Sequence, residues 1–422
     1  MNSEIWWKKI ASCFQRGSAT RDIATLTVGT TLAQGITIAV TPLLTRLYTP
    51  SDFGLLAVFL AVASVSATLI TLRYETSILV PNKNVESANL VLLSLILGIG
   101  LSLVLAVLGA LLPIVWQEKF GLGALGYWIS IAFLTAAATS ILATMQGWVN
   151  RRKQYRHMAW LRVGQSATLA SLAVLFGFLN INNGLLIAQI TASACLCLVA
   201  LWFGRSVTRL WQKQQLKATA LAHKNAPKYL LPTALLDVIT MQMPVLLIAA
   251  WFGADDAGQF SMAWRLMMMP MAVIGGAVGQ VFMQRFSKAL ETPVLAKKII
   301  KQSWIFLFAV GFIPFTLIFI GGDAIFMMVL GAKWQDSGVL AMMLAPMALA
   351  MFISSPTSYA YVLLGLQKYS LLFGVITFIY RPLCIFLGKY FNSLTLGLWI
   401  WVLLEVIVIF IYQYLVWRKL ND

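Results

Sequence analysis

The 422-residue sequence has very little charge. Asp, Glu, Lys and Arg together make up 11% of it, where soluble domains carry about 25%. That deficit excludes a soluble enzyme of two or three domains. Histidine is nearly absent, with only His157 and His223, and there are four cysteines: Cys13, Cys195, Cys197 and Cys384. None of these has metal-ligand or paired spacing, so no zinc site and no disulfide framework is expected. Three of the cysteines sit in apolar runs and read as small hydrophobic fillers. Acid is scarcer than base, 14 Asp+Glu against 31 Lys+Arg, for a net charge of +17. Residues 1–21 lack the continuous apolar core of a signal peptide. They place Trp6, Trp7, Ile10 and Phe14 at near-helical spacing among Lys8, Lys9 and Arg16, the pattern of a segment lying at the membrane surface.

What the sequence does have is apolar length: 60% of residues are hydrophobic and 12% aromatic. A spanning helix needs ~20 mostly apolar residues. Twelve segments qualify, near 22–47, 53–73, 86–112, 122–148, 160–179, 184–204, 229–252, 256–282, 302–321, 337–364, 369–388 and 394–417. The longest connection on the side opposite the termini is 321–337, so no domain is expected there. The fold class that follows is an all-α integral membrane protein.

In a soluble protein a net charge of +17 would indicate nucleic acid. Here the cations sort by side. Lys119, Lys333 and Lys389 fall opposite the termini; Arg46, Arg162, Arg265 and Arg381 lie within or at the ends of helices; the other 24 share the side of the termini. Lys and Arg accumulate on the cytoplasmic side of membrane proteins, so both termini are expected in the cytoplasm and no nucleic-acid partner is.

An internal repeat is visible. Pro42-Leu43-Leu44 followed by Asp52-Phe53-Gly54 parallels Pro244-Val245-Leu246-Leu247 followed by Asp256-Ala257-Gly258, and the two Asp–Gly pairs are 204 residues apart. Each Asp can cap the first turn of the helix it precedes. The expected organisation is an interfacial segment 1–21, a six-helix lobe 22–204, a basic linker 205–228 and a second six-helix lobe 229–422. Six is even, so the lobes keep one orientation about a pseudo-two-fold axis along the membrane normal.

Polar residues inside spans are the best functional pointers. Helix 1 carries Thr27, Thr30, Thr31, Gln34, Thr37, Thr41 and Thr45 at three-to-four spacing; helix 2 carries Ser64, Thr68, Thr71 and Glu75. Helix 7 carries Thr233, Asp237 and Thr240, and helix 8 carries Gln259, Arg265 and Gln280. Interhelical hydrogen bonding is the bland explanation for any single Thr. A stripe repeated in matching helices points to a polar cavity lined by Thr30, Gln34, Thr37, Thr41, Thr68, Thr71, Thr233 and Gln259. Arg265, nine residues beyond Asp256, lies ~14 Å deep, where a lone cation needs water or an anion. Arg46 and Arg73 are the next anion contacts. Arg73 and Glu75, two apart, do not face each other on a helix. Arg381 and Glu405, at similar depth on sequential helices, read as a structural ion pair. The carboxylates available for ion coupling are Asp237, Glu75 and Glu405. Gly121, Gly123 and Gly126 match a dinucleotide fingerprint only as a string, since no strand precedes them. Gly275 and Gly279 read as a helix contact.

Two stretches carry a resemblance. Thr45-Arg46-Leu47-Tyr48-Thr49-Pro50-Ser51-Asp52-Phe53-Gly54 resembles the first outer turn of bacterial polysaccharide and O-antigen flippases. Gly253-Ala254-Asp255-Asp256-Ala257-Gly258-Gln259-Phe260-Ser261-Met262-Ala263-Trp264-Arg265-Leu266 is similar to the matching turn of their second half. These proteins belong to the multidrug/oligosaccharidyl-lipid/polysaccharide exporter superfamily, and the helix count extends the likeness over the whole chain. The resemblance implies a MATE-like fold in the bacterial cytoplasmic (inner) membrane. It also implies alternating access and a substrate of oligosaccharide repeat units on undecaprenyl pyrophosphate, with polymerase and chain-length proteins as partners. It implies no enzyme activity, cofactor or metal; coupling to an H+ or Na+ gradient is the energetic expectation. The alternatives are a drug/cation antiporter of the same superfamily and a membrane glycosyltransferase or polymerase. Helix 1 lacks the carboxylates expected of the first beyond Asp22, and the outer loops lack the His and length expected of the second.

Overall fold

The computed structural model describes residues 18–420 apart from 114, 116, 118–121, 124 and 291. The interfacial segment expected over 1–21 therefore falls largely outside the described residues, as do Cys13, Trp116, Lys119, Gly121 and the side chain of Thr27. Among the described residues there is no strand, and twelve helices are long and apolar enough to cross a membrane. This is the architecture lipid imposes, since each backbone N–H and C=O must find its partner within the segment. The helices are α1 (Ser18–Leu47), α2 (Pro50–Ile70), α3 (Asn84–Leu111), α4 (Trp128–Arg151), α5 (Tyr155–Phe178) and α6 (Gly184–Gly204). They continue with α7 (Leu231–Trp251), α8 (Ala254–Ala289), α9 (Pro293–Leu330), α10 (Ala332–Leu363), α11 (Gln367–Tyr390) and α12 (Leu394–Lys419).

Four boundaries differ from the sequence expectation by six residues or more, one of them the start of α9 at Pro293 instead of 302. Helix α4 starts at Trp128 instead of 122, because Gly126 takes a positive φ of 52° and breaks the approach. Helix α8 runs on to Ala289 through a π turn at Met271–Gly275. The expected loop over 321–337 is mostly helix. Gly321 leaves helical geometry (φ −140°, ψ 32°), yet the chain resumes and ends only at Leu330. Gly322 explains the resumption: a Cβ there would stand 2.8 Å from the Gly338 carbonyl oxygen, so α9 and α10 meet backbone to backbone.

The chain divides into two compact units. The first comprises the described residues up to Leu44, with Val62–Leu111 and Tyr127–Leu235. Its core gathers Ile78, Leu90, Val91, Met145, Trp148 and Leu161. The segment 205–228 belongs to this unit and is structured. Trp148 Nε1 donates to Ser206 Oγ (3.2 Å), the Gln212 amide N–H donates to Asn89 Oδ1 (2.9 Å) and Tyr74 donates to the Ala220 carbonyl (3.3 Å). His223 Nε2 lies 3.0 Å from Glu86 Oε1. Its cations Arg205, Arg209, Lys213, Lys217, Lys224 and Lys228 all stay exposed.

The second unit comprises Thr45–Ala61, the described residues of Leu112–Gly126, and Leu236 onward. It therefore contains both repeat turns, and they meet. A Cβ on Gly54 would overlap the Ala254 carbonyl oxygen, and a Cβ on Gly258 would overlap that of Pro50. Trp334 Nε1 donates to the Thr45 carbonyl (2.9 Å), and its ring meets Phe53 edge-on at 5.0 Å.

Asp52 caps α2 as its position foretold. Its Oδ2 accepts from the Thr49 amide (2.9 Å) and the Thr49 hydroxyl (2.7 Å), while the Asp52 amide donates to Thr49 Oγ1 (3.3 Å). That is a reciprocal capping box. The matching turn of α8 is opened by Gly253 at φ 105° with no side-chain cap. Asp52→Ala should cost about 1 kcal/mol of stability, read as a fall in melting temperature in detergent. Asp256→Ala, which removes no such box, should cost less.

Candidate functional site

In the second unit Arg265 lies in the first third of α8. Among the described residues it makes no hydrogen bond or ion pair. A guanidinium held in a membrane-spanning helix without a counterion is a site for an anion or for water. Its neighbour Trp264 stacks on Phe260 (5.9 Å between centroids) and on Trp401 (5.5 Å), so packing accounts for that ring.

Trp401 leads into a buried polar cluster. Arg381 grips Glu405 through Nη2 to Oε1 (2.7 Å) and Nε to Oε2 (3.0 Å). Tyr380 donates to Oε2 at 2.6 Å and Trp401 Nε1 at 2.9 Å. The Arg381 guanidinium also lies 5.6 Å over the Trp401 ring. Arg381 and Glu405 are each 4% exposed. Three donors converge on Oε2 and one, Arg381 Nη2, reaches Oε1. The cluster holds α11 against α12 and pairs Glu405 with Arg381 as a buried ion pair.

Gln259 differs from its expected place in a cavity wall. It is buried, its Nε2 donates to the Lys333 carbonyl (2.9 Å), and its Oε1 accepts from the Ser337 amide (3.0 Å). The side chain staples α8 to the start of α10. Gly275 and Gly279 do mediate a helix contact: a Cβ on either would stand 2.7 Å from a side-chain atom of Ser355 or Tyr359. Arg46 is exposed in the last turn of α1, where the helix dipole favours a cation. Asp237 is exposed on α7.

In the first unit the structure departs from the sequence reading at Arg73 and Glu75. Helix α2 ends at Ile70, and Leu72 and Arg73 take positive φ (49° and 63°). The left-handed turn swings Arg73 Nη1 to 3.2 Å from Glu75 Oε1. Helical spacing forbade that pair, but the segment is not helical. Arg73 Nε and Glu75 Oε2 remain buried without partners. The Thr71 hydroxyl accepts from the Arg73 amide at 3.4 Å. Beside this turn, burial raises the Tyr74 phenol above its ordinary range, which keeps it a donor to Ala220. In the second unit, at the α1–α2 turn, burial and then the Asp52 carboxylate push Tyr48 up to about 12.

The threonine stripe satisfies itself. Thr37 donates to the Ala33 carbonyl (3.1 Å), Thr41 to Thr37 (2.6 Å) and Thr68 to Ser64 (3.1 Å). Thr233 likewise bonds Tyr229 (3.1 Å) and Leu230 (3.0 Å). This i−4 back-bonding uses each hydroxyl's proton within its own helix and leaves only acceptor capacity outward. Gln34 is half-buried. Thr30 accepts from Arg162 Nη1 of α5. The sequence reading placed Arg162 within or at the end of a helix and gave it no partner. Its signal was its status as one of four cations within or at the ends of helices, and its partner, 132 residues away, could not be read from spacing. Among the described residues no three His, Cys, Asp or Glu side chains gather to hold a metal.

Comparison with known proteins adds the family. Residues 43–339 match the model of a polysaccharide biosynthesis protein family. The succinoglycan biosynthesis transport protein ExoT of Rhizobium meliloti is 26% identical over 285 residues, covering 65% of this chain and 55% of that protein. The chain thus matches little more than half the length of that curated relative. Among solved structures, an inward-facing MATE-family multidrug transporter superposes with a TM-score of 0.68 at 14% identity, over 94% of this chain and 95% of that one. A Vibrio cholerae MATE transporter gives 0.54 at 12% identity, over 94% and 95%. A superfamily transporter from Pyrococcus furiosus gives 0.51 at 15%, over 96% and 98%. These likenesses describe the fold, and the relatives named are transport proteins. With the family model covering most of its length, the chain belongs to the polysaccharide biosynthesis protein family, with twelve candidate spans in a fold like that of MATE-family transporters.

Proposed function

We propose that the protein is a flippase. It moves undecaprenyl-pyrophosphate-linked oligosaccharide repeat units, of an O-antigen, capsule or exopolysaccharide, from the inner to the outer leaflet of the bacterial cytoplasmic membrane by alternating access. The cation asymmetry supports a cytoplasmic position for both termini. The observation that carries the reading is Arg265: a guanidinium without a protein partner among the described residues, set in a spanning helix of a polysaccharide-family protein. A pyrophosphate supplies the missing counterion, and Arg is suited to it because its planar fork meets phosphate oxygens bidentately. Arg46 and Arg73 are auxiliary anion contacts; Arg73 stays partly committed to Glu75. The carboxylates proposed for coupling to an H+ or Na+ gradient are Asp237, Glu75 and Glu405, of which Glu75 pairs with Arg73 and Glu405 with Arg381. A polymerase and a chain-length protein act downstream on the flipped units.

Arg265→Ala should abolish surface polysaccharide in a deletion strain while the protein inserts at normal level, and Arg265→Lys should restore part of it. Wild-type polysaccharide in the alanine variant would refute the anion role. Transfer of lipid-linked glycan between leaflets by the purified protein in vesicles tests transport itself, and elongation of the glycan by that preparation would favour an enzyme instead.

A further inference from the structure

We propose that the second unit carries a binding site for one anionic phospholipid, in the groove between α9, α10 and α12. The groove has a volume of about 610 Å³ and is walled by Trp304, Phe308, Ile353, Ile409, Phe410 and Trp417 among others. A wall of that chemistry takes up hydrocarbon. At one end the Trp304 and Trp417 rings stack 6.0 Å apart, a pairing suited to headgroup depth, where Trp anchors helices.

The same end is basic. Lys297 Nζ stands 5.9 Å from the centroid of the Trp417 ring. Lys301 lies one turn before Trp304, and Arg418 and Lys419 follow Trp417; these three are exposed. No acidic residue occurs in 293–306 or 410–420. A positive mouth over an apolar body complements a negative headgroup with a chain beneath it.

Two features favour a resident phospholipid over the isoprenoid chain of a transported carrier. From Trp417 to Ile409 the groove follows α12 for eight residues, ~12 Å, against a hydrocarbon core of roughly 30 Å. It stays within one leaflet, whereas a chain in transit needs a path across both. Trp304 Nε1 and Gln413 Nε2, both on residues of the wall, are buried donors without partners. A glycerolipid has ester carbonyls to accept from them just below its phosphate; an isoprenoid phosphate has no acceptor at that depth.

The test is native mass spectrometry of the purified full-length protein with phosphatidylglycerol, phosphatidylcholine and undecaprenyl phosphate as competing probes. One phosphatidylglycerol should be retained in preference to the other two. Lys297→Ala and Lys301→Ala should each weaken its retention roughly fivefold. Ala350→Trp and Ile409→Trp, which fill the groove, should abolish it with helicity unchanged by circular dichroism; should one of them misfold, the other and the lysine variants decide. Equal retention of phosphatidylcholine, preference for undecaprenyl phosphate, or undiminished phosphatidylglycerol binding in a folded groove-filling variant would each overturn the proposal.

Discussion

Arg381→Met should unfold the second unit more readily than any other single substitution at a polar residue. It leaves Glu405 at 4% exposure with its principal counterion gone, and breaking a buried pair from one side costs about 3–5 kcal/mol. Glu405→Gln should be milder, because the amide oxygen still accepts from Tyr380 and Trp401 while the Arg381 charge is left unpaired. The informative variant is the double one. Arg381→Met combined with Glu405→Leu removes both charges together, and replacing a whole buried pair by apolar residues is often neutral or stabilising. Thermal unfolding in detergent should therefore rank Arg381→Met lowest and the double variant well above it. A double variant as unstable as Arg381→Met would show that packing, and not the uncompensated carboxylate, sets the cost. If the double variant also supports polysaccharide export, Glu405 carries no ion.

The second large effect is expected at Gly54 and Gly258. Each faces the other repeat's backbone so closely that a methyl group would overlap a carbonyl oxygen, of Ala254 in one case and Pro50 in the other. Backbone cannot rotate aside as a side-chain tip can. Gly54→Ala or Gly258→Ala should each cost at least the 1–3 kcal/mol of ordinary overpacking, roughly. Because both substitutions prise apart one contact, the double variant should be less unstable than the two single effects added. Strict additivity in the melting temperatures would mean that the two glycines do not share a contact.

Much of this fold was legible because lipid enforces it. Twelve apolar runs became twelve candidate spans, since a run of that length without charge has no other stable form in a bilayer. The Asp52 cap was legible because a capping box is local, with Thr49 and Asp52 three residues apart. The Arg381–Glu405 pair was legible because few charges lie that deep and each needs an opposite. What escaped were contacts set by backbone geometry. The Arg73–Glu75 pair depends on a left-handed turn at Leu72 and Arg73, and neither residue type signals positive φ. Gln259 read as a cavity residue because polarity alone does not tell a wall from a staple; its partners, the Lys333 carbonyl and Ser337, lie more than seventy residues on. Segment 205–228 read as a linker from its charge, but it docks through the Ser206 and His223 side chains and through its backbone at Gln212 and Ala220.

The glycine contact also bears on how the chain came to be. Pro50 and Ala254 are separated by the same 204 residues as Gly54 and Gly258. Each glycine meets the partner's counterpart of the residue four places before itself. That is the signature of an isologous patch, one surface matched to its own copy, as in a two-fold dimer. A single ancestral half would have carried glycine once and felt any replacement twice, on both sides of the axis. The two copies differ in the capping residues, Thr49 and Gly253. At Gly54 and Gly258 steric exclusion acts on either copy alone and holds both to glycine.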